Sequence, residues 1–253
     1  MSGSESRDEK ILIVGATSTI ANACARLWAS DGSEFFLVAR GEQKLQQTCA
    51  DLRARGARVA VPYIMDASDS ALYPDMLKQC LETLHTVDIC LIAYGTLPDQ
   101  SACEQDVELA MAEFANNGST VIALLTLVAN QMAAQRSGTL AVISSVAGDR
   151  GRPSNYVYGS AKAAVSSFCE GLRARLFKSG VHVITIKPGF VNTPMTQGLA
   201  LPAFLVAQPE AVARRIVAGI ERKVAVLYVP RLWSWIMFLI RALPQPLFKR
   251  LNL

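Results

Sequence analysis

The chain has 253 residues and is 51% apolar and 18% charged, which excludes extended disorder and fibrous repeats and leaves ample material for one buried core. The net charge is +4, but Arg222, Lys223, Arg231, Arg241, Lys249 and Arg250 follow Glu221 with no acidic residue after it. The basicity therefore belongs to the tail, which argues against a nucleic-acid-binding body and for a local contact with something anionic.

In chain order, the apolar run 11–14 predicts a strand, and Gly15-Ala16-Thr17-Ser18-Thr19-Ile20-Ala21 turns from it into a helix over 20–29. Backbone N–H groups and the positive end of that helix would face a diphosphate, although a Gly-Ala turn after a strand is ordinary by itself. A second strand over 35–39 ends at Arg40, where a dinucleotide fold places the group that reads the adenosine ribose. A guanidinium suits a 2′-phosphate, so Arg40 favours NADP(H) over NAD(H); the alternative is a solvated loop arginine. After a helix over 43–54 and a strand over 59–63, Asp66 is placed to accept from an adenine amino group or to neighbour a helix cap.

A helix over 71–84 and a strand over 89–93 follow, the latter running into Ile92-Ala93-Tyr94-Gly95; a single long helix is predicted over 107–136. The strand over 139–144 closes on Ser144-Ser145, and the next helix, 157–178, carries Tyr158-Gly159-Ser160-Ala161-Lys162. Tyr and Lys four apart share a helix face. A nearby ammonium favours the phenolate, so Tyr158 is expected to exchange a proton with a carbonyl oxygen while Lys162 holds the nicotinamide ribose. A strand over 181–187, a helix over 209–222 and a strand over 224–229 complete the body. Seven buried strands alternating with helices predict a single Rossmann-type, doubly wound α/β fold, a parallel sheet with helices on both faces.

These residues resemble the classical short-chain dehydrogenases/reductases along residues 10–229. The resemblance implies a catalytic set of Ser145, Tyr158 and Lys162, with Asn117, or its neighbour Asn116, helping to hold a water that links the lysine to solvent. It implies cofactor contacts from Gly15, Thr17, Ser18, Thr19, Ile20, Ala93 and Gly95, and from the Pro188-Gly189 segment, where Val191 backbone and Thr193 hydroxyl would hold the nicotinamide carboxamide under a lid over 193–201. It also implies a homodimer or homotetramer. Two departures stand out: the family's glycine turn keeps only Gly15, with Thr19 and Ala21 at the other two places, and its Asn-Asn-Ala-Gly keeps only Gly95. Thr19 narrows the approach to a pyrophosphate that glycine would permit.

Residues 230–253 form a basic and aromatic tail beyond the dinucleotide-binding domain, 1–229. Its apolar run, Trp235 to Ile240, is far short of the roughly 20 residues that span a bilayer. Tryptophans flanked by arginines match a segment lying on an anionic membrane surface through 231–251, or a helix covered by protein; both readings stay open. Residues 93–100, Tyr158 to Lys162 and this tail together loosely resemble reductases acting on polyprenyl-phosphate-linked 2-keto-pentose, in which case Arg150 or Arg152 would approach the lipid phosphate. The polar N-terminus and six scattered cysteines predict a cytoplasmic chain with reduced thiols, at most peripheral on the inner membrane face. His85 and His182 lack partners at ligand spacing, so no metal is expected. The expected function is NADPH-dependent reduction of a small-molecule or lipid-linked carbonyl; the competing one is a dinucleotide-binding sensor or scaffold without catalysis.

Overall fold

The computed structural model describes residues 8–198 and 202–251. Its elements, in chain order, are β1 (Lys10–Val14), α1 (Thr19–Ala29), β2 (Glu34–Ala39), α2 (Glu42–Ala54), β3 (Val59–Ile64), α3 (Tyr73–Leu84), β4 (Ile89–Ile92), α4 (Gln100–Gln105), α5 (Val107–Phe114), α6 (Thr120–Gln135), β5 (Thr139–Ile143), α7 (Tyr156–Leu176), β6 (His182–Pro188), α8 (Pro209–Glu221), β7 (Val226–Val229), α9 (Leu232–Ala242) and α10 (Gln245–Phe248). The seven strands form one sheet in the order β3-β2-β1-β4-β5-β6-β7, with every pairing parallel.

Side-chain alternation along the strands divides the core in two. Ile11 and Ile13 pack with Trp28, Leu45 and Ile216 against α1, α2 and α8, while Leu12 and Val14 pack with Met76, Leu124 and Val165 against α3, α6 and α7. A strand covered on both faces has no solvent side, so its sequence is apolar throughout. The chain winds outward in both directions from β1 and β4, so the crevice between their carboxyl ends is the place where a ligand binds in such a sheet.

Two local features depart from expectation, and a third bears on the tail. The helix predicted over 107–136 is interrupted by a π turn, Ala115–Ser119, which separates α5 from α6. An extra residue per turn rotates Asn117 inward, and π turns of this kind recur at functional sites. The segment 100–105, for which no element is predicted, forms α4, capped by Asp99 accepting from Ser101 and Ala102 N–H. The tail forms α9, whose Trp233 and Met237 are buried against Val146 beside Phe190, Leu205 and Tyr228. Among the described residues no helix is long and apolar enough to cross a membrane.

Candidate active site

A cleft of about 470 Å³ opens at the carboxyl ends of the central strands, within the range typical of small-molecule sites. Its floor begins at Gly15, whose φ is +84° and whose side chain, if present, would start 2.7 Å from the Ala93 carbonyl oxygen. Only glycine allows β1 and β4 to end this close together. Ser18 caps α1, its hydroxyl accepting from Ala21 N–H at 3.2 Å. The first-turn amides of α1 point outward by helix geometry, and Thr17, Thr19 and Ile20 line the same wall.

The residues at this end fit an anionic dinucleotide. Arg40 and Lys44 line the cleft beyond β2, and no acidic residue is among its described lining. Lys44, four residues after Arg40 in the first turn of α2, was not anticipated, though its i,i+4 spacing was visible. Asp66 lies outside the lining, between Met65 and Ala67, which do line it. Its carboxylate accepts from Ser68 N–H and Oγ at 2.9 and 2.8 Å. Those bonds, with Arg40 nearby, hold it below the usual carboxylate range. Tyr94 lines the cleft and donates to Asn116 Oδ1.

Ser145, Tyr158 and Lys162 meet on the far side of the cleft. Adjacent Ser144 is wholly structural in its bonds, tying β5 to α7 through Lys162 carbonyl at 3.0 Å and Ser166 Oγ at 2.8 Å. Ser145 opens the 3₁₀ turn Val146–Asp149 and its Oγ accepts from Ala147 N–H at 3.1 Å. A bond to Ser145 favours the ionised Tyr158, yet burial outweighs it and pushes the phenol up to about 12. Lys162 is 2% exposed, donates to Ile143 carbonyl at 3.4 Å, and has its Nζ 5.6 Å from the Tyr158 ring centre. Burial lowers its ammonium to about 8. The expected acidified phenol is therefore corrected: in this arrangement desolvation shifts both groups towards their neutral forms, and it is the lysine that is drawn towards neutral pH.

Asn117 stands behind the cleft wall rather than in it. It is fully buried, and its Oδ1 accepts from Thr96 N–H at 2.9 Å while its Nδ2 donates to Glu113 carbonyl at 3.1 Å. Gly95 separates it from Lys162: a side chain there would begin 2.8 Å from Asn117 Oδ1 and 3.1 Å from Lys162 Nζ. Asn116 turns instead to Tyr94 and to Thr96 Oγ1, at 3.0 Å from the latter.

Gly189, Val191 and Thr193 complete the lining, joined by Pro194, Met195 and Thr196. Thr193 and Thr196 close a capping box around the 3₁₀ turn Pro194–Thr196, with Thr196 Oγ1 donating to Val191 carbonyl at 2.6 Å. Thr196 lies within the lid expected over 193–201, and its capping role is signalled by T-x-x-T at a Pro turn. Of the lid expected over 193–201, residues 199–201 lie outside the described residues. Trp233 lies directly on Gly189 and meets Phe190 edge to face at 5.1 Å. Arg150 is committed to the tail: it donates to Ile240 carbonyl and to Leu243 carbonyl at 2.7 Å, and stacks 3.7 Å above the Phe248 ring.

The match to known proteins agrees with this geometry. The short chain dehydrogenase family model matches residues 9–202. An uncharacterised oxidoreductase of Mycobacterium tuberculosis (strain CDC 1551 / Oshkosh) is 34% identical over 241 residues, covering 95% of this chain and 96% of its own. The protein assigned as ketoacyl reductase 1 of the granaticin polyketide synthase of Streptomyces violaceoruber is 31% identical over 188 residues, covering 74% and 69%. The crystal structure of gox2181 superposes with a TM-score of 0.79 at 20% identity, covering 88% of this chain and 95% of that one, and so shares the fold. The chain belongs to the short-chain dehydrogenase family and is an NAD(P)-dependent oxidoreductase.

Proposed function

We propose that the protein is an NADPH-dependent carbonyl reductase with Tyr158 as its proton donor. When bound, a reduced nicotinamide supplies hydride to the carbonyl carbon. Tyr158 gives its hydroxyl proton to the carbonyl oxygen, Ser145 steadies that oxygen, and Lys162 holds the nicotinamide ribose. Asn117 helps to hold a water on the solvent side of Lys162. The α1 amides with Thr17, Ser18 and Thr19 hold the pyrophosphate, Arg40 the 2′-phosphate, Asp66 the adenine, and Val191 and Thr193 the carboxamide. The observation that carries this reading is the convergence of Ser145, Tyr158 and Lys162 in the same cleft whose other end is lined by Arg40 and Lys44.

For the substrate we propose a ketone with a large apolar or lipid-linked part. The likeness to a ketoacyl reductase supports the ketone, and Pro188, Pro194 and Met195 in the cleft lining support the apolar part. Residues 1–229 would then bind cofactor and substrate, with 230–253 bringing the cleft to an anionic membrane surface. The test is NADPH oxidation against keto-sugars, lipid-linked keto-pentose, steroids and small diketones. Reduction of at least one ketone class is expected; tight NADPH binding with none reduced would favour a non-catalytic sensor.

A further inference from the structure

Among the described residues, the buried side-chain polar atoms without a hydrogen-bond partner are Arg152 Nε and Asn155 Oδ1. Both belong to the segment that joins the Ser145 turn to α7, the helix that carries Tyr158, and lie just behind the cleft lining rather than in it. Native folds leave few such groups unpaired, and each calls for a cause.

Arg152 is 8% exposed. Its guanidinium reaches two weak acceptors, Val146 carbonyl at 3.3 Å and the Met237 thioether at 4.0 Å. Asp149, the acid whose field reaches it, is already taken: Oδ1 accepts from Lys187 Nζ at 2.6 Å and Oδ2 from the Tyr228 hydroxyl at 2.7 Å. Two cationic side chains are thus buried around one carboxylate. A guanidinium keeps its proton in proteins, so burial does not discharge it. A buried cation without an anion is strongly unfavourable unless one arrives.

We infer that Arg152 is an anion-binding residue of the substrate subsite, and that the substrate carries an oxyanion, carboxylate or phosphate, beyond its carbonyl. The guanidinium donates to the carbonyl of Val146, the residue that follows Ser145 in the chain. Met237 covers it. An unbranched thioether is adaptable, and its sulfur is a poor acceptor that an oxyanion outcompetes for the guanidinium fork. The location of the reduced carbonyl rests on the reading of Tyr158 above; the binding of an anion does not.

The experiment uses the full chain saturated with NADP⁺, which fills the cofactor's own phosphate sites. Inorganic phosphate and acetate are titrated separately by calorimetry into wild type, Arg152→Gln and Arg152→Lys. One of the two anions is expected to bind wild type, with affinity falling at least about tenfold in Arg152→Gln and less in Arg152→Lys. Should Arg152→Gln fail to fold, the comparison with Arg152→Lys decides. No binding by wild type, or equal binding by the variants, overturns the proposal. Matched pairs then use turnover: 4-carboxybenzaldehyde against methyl 4-formylbenzoate, and glyceraldehyde 3-phosphate against glyceraldehyde. Wild type is expected to favour one acidic member at least about tenfold in kcat/KM, with the ratio collapsing in Arg152→Gln. Equal use of both members of both pairs overturns it. If anion binding requires Arg152 while no carbonyl is reduced, the reductase reading fails and the anion site stands.

Discussion

The distribution of charge within single side chains decides much of the chemistry. Lys162 has a folded pKa near 8 against 10.5 in an exposed chain, caused by burial. Below about pH 8 both folded and unfolded states carry the charge, so the burial penalty is present in full. Between about 8 and 10.5 the unfolded chain holds the extra proton and stability rises with pH. Lys162→Met is therefore expected to be more stable than wild type at pH 7, by up to about 3 kcal/mol, with the difference shrinking above pH 8. Denaturant melts at pH 7 and 10 check this, and a less stable variant at pH 7 would show that the lysine is satisfied where it lies. The same titration predicts that carbonyl reduction declines as pH passes upward through about 8. At the other end of the cleft, Arg40→Ala should weaken NADPH roughly tenfold or more and leave NADH unaffected. An unchanged cofactor preference would remove Arg40 from the 2′-phosphate. The placement of these side chains on one cleft was legible because Tyr158 and Lys162 share one helix and Arg40 ends a strand. The effect of burial on Tyr158 was not, since desolvation depends on β5, the Ser145 turn and α7 closing around one phenol, which no local pattern encodes.

At the scale of elements, α9 presents two faces with different work. Trp233 and Met237 turn inward to Val146 and Phe190, whereas Trp235, Phe238 and Leu239 are 70%, 63% and 64% exposed. Trp233→Ala should cost about 3–5 kcal/mol by leaving a cavity over Gly189, read by thermal or denaturant unfolding. A paired Trp235→Ser and Phe238→Ser variant should keep that stability and lose co-sedimentation with anionic vesicles. Undiminished sedimentation would move any lipid contact off this helix. The sequence pattern named the segment but not its inner face, because its partners Val146 and Phe190 are far away in the chain. The π turn at Ala115–Ser119 was equally hidden: the apolar spacing of 107–136 reads as one helix, and the inserted residue shows only when Asn117 is seen packed behind Gly95. Gly95 has a φ of +154°. Gly95→Ala would thrust a methyl between Asn117 and Lys162 and should lower both stability and turnover; a wild-type rate would mean that this gap is not used.

The whole molecule was the most legible level. Strand boundaries fell within two residues of the apolar runs, because strands buried on both faces must be apolar along their length. The place of the cleft follows from the observed strand order, which reverses direction between β1 and β4. The short helix α4 escaped notice because its six residues carry no apolar stripe. Thr19 beside Gly15 remains compatible with an open cleft, since it lines the wall without closing it. The central claim is proton donation by Tyr158, and it is tested most directly by steady-state NADPH oxidation with the best ketone of the panel, comparing wild type with Tyr158→Phe. The account predicts a fall in kcat of about 10²- to 10⁴-fold, with NADPH still bound. A variant that reduces the ketone at the wild-type rate would contradict it.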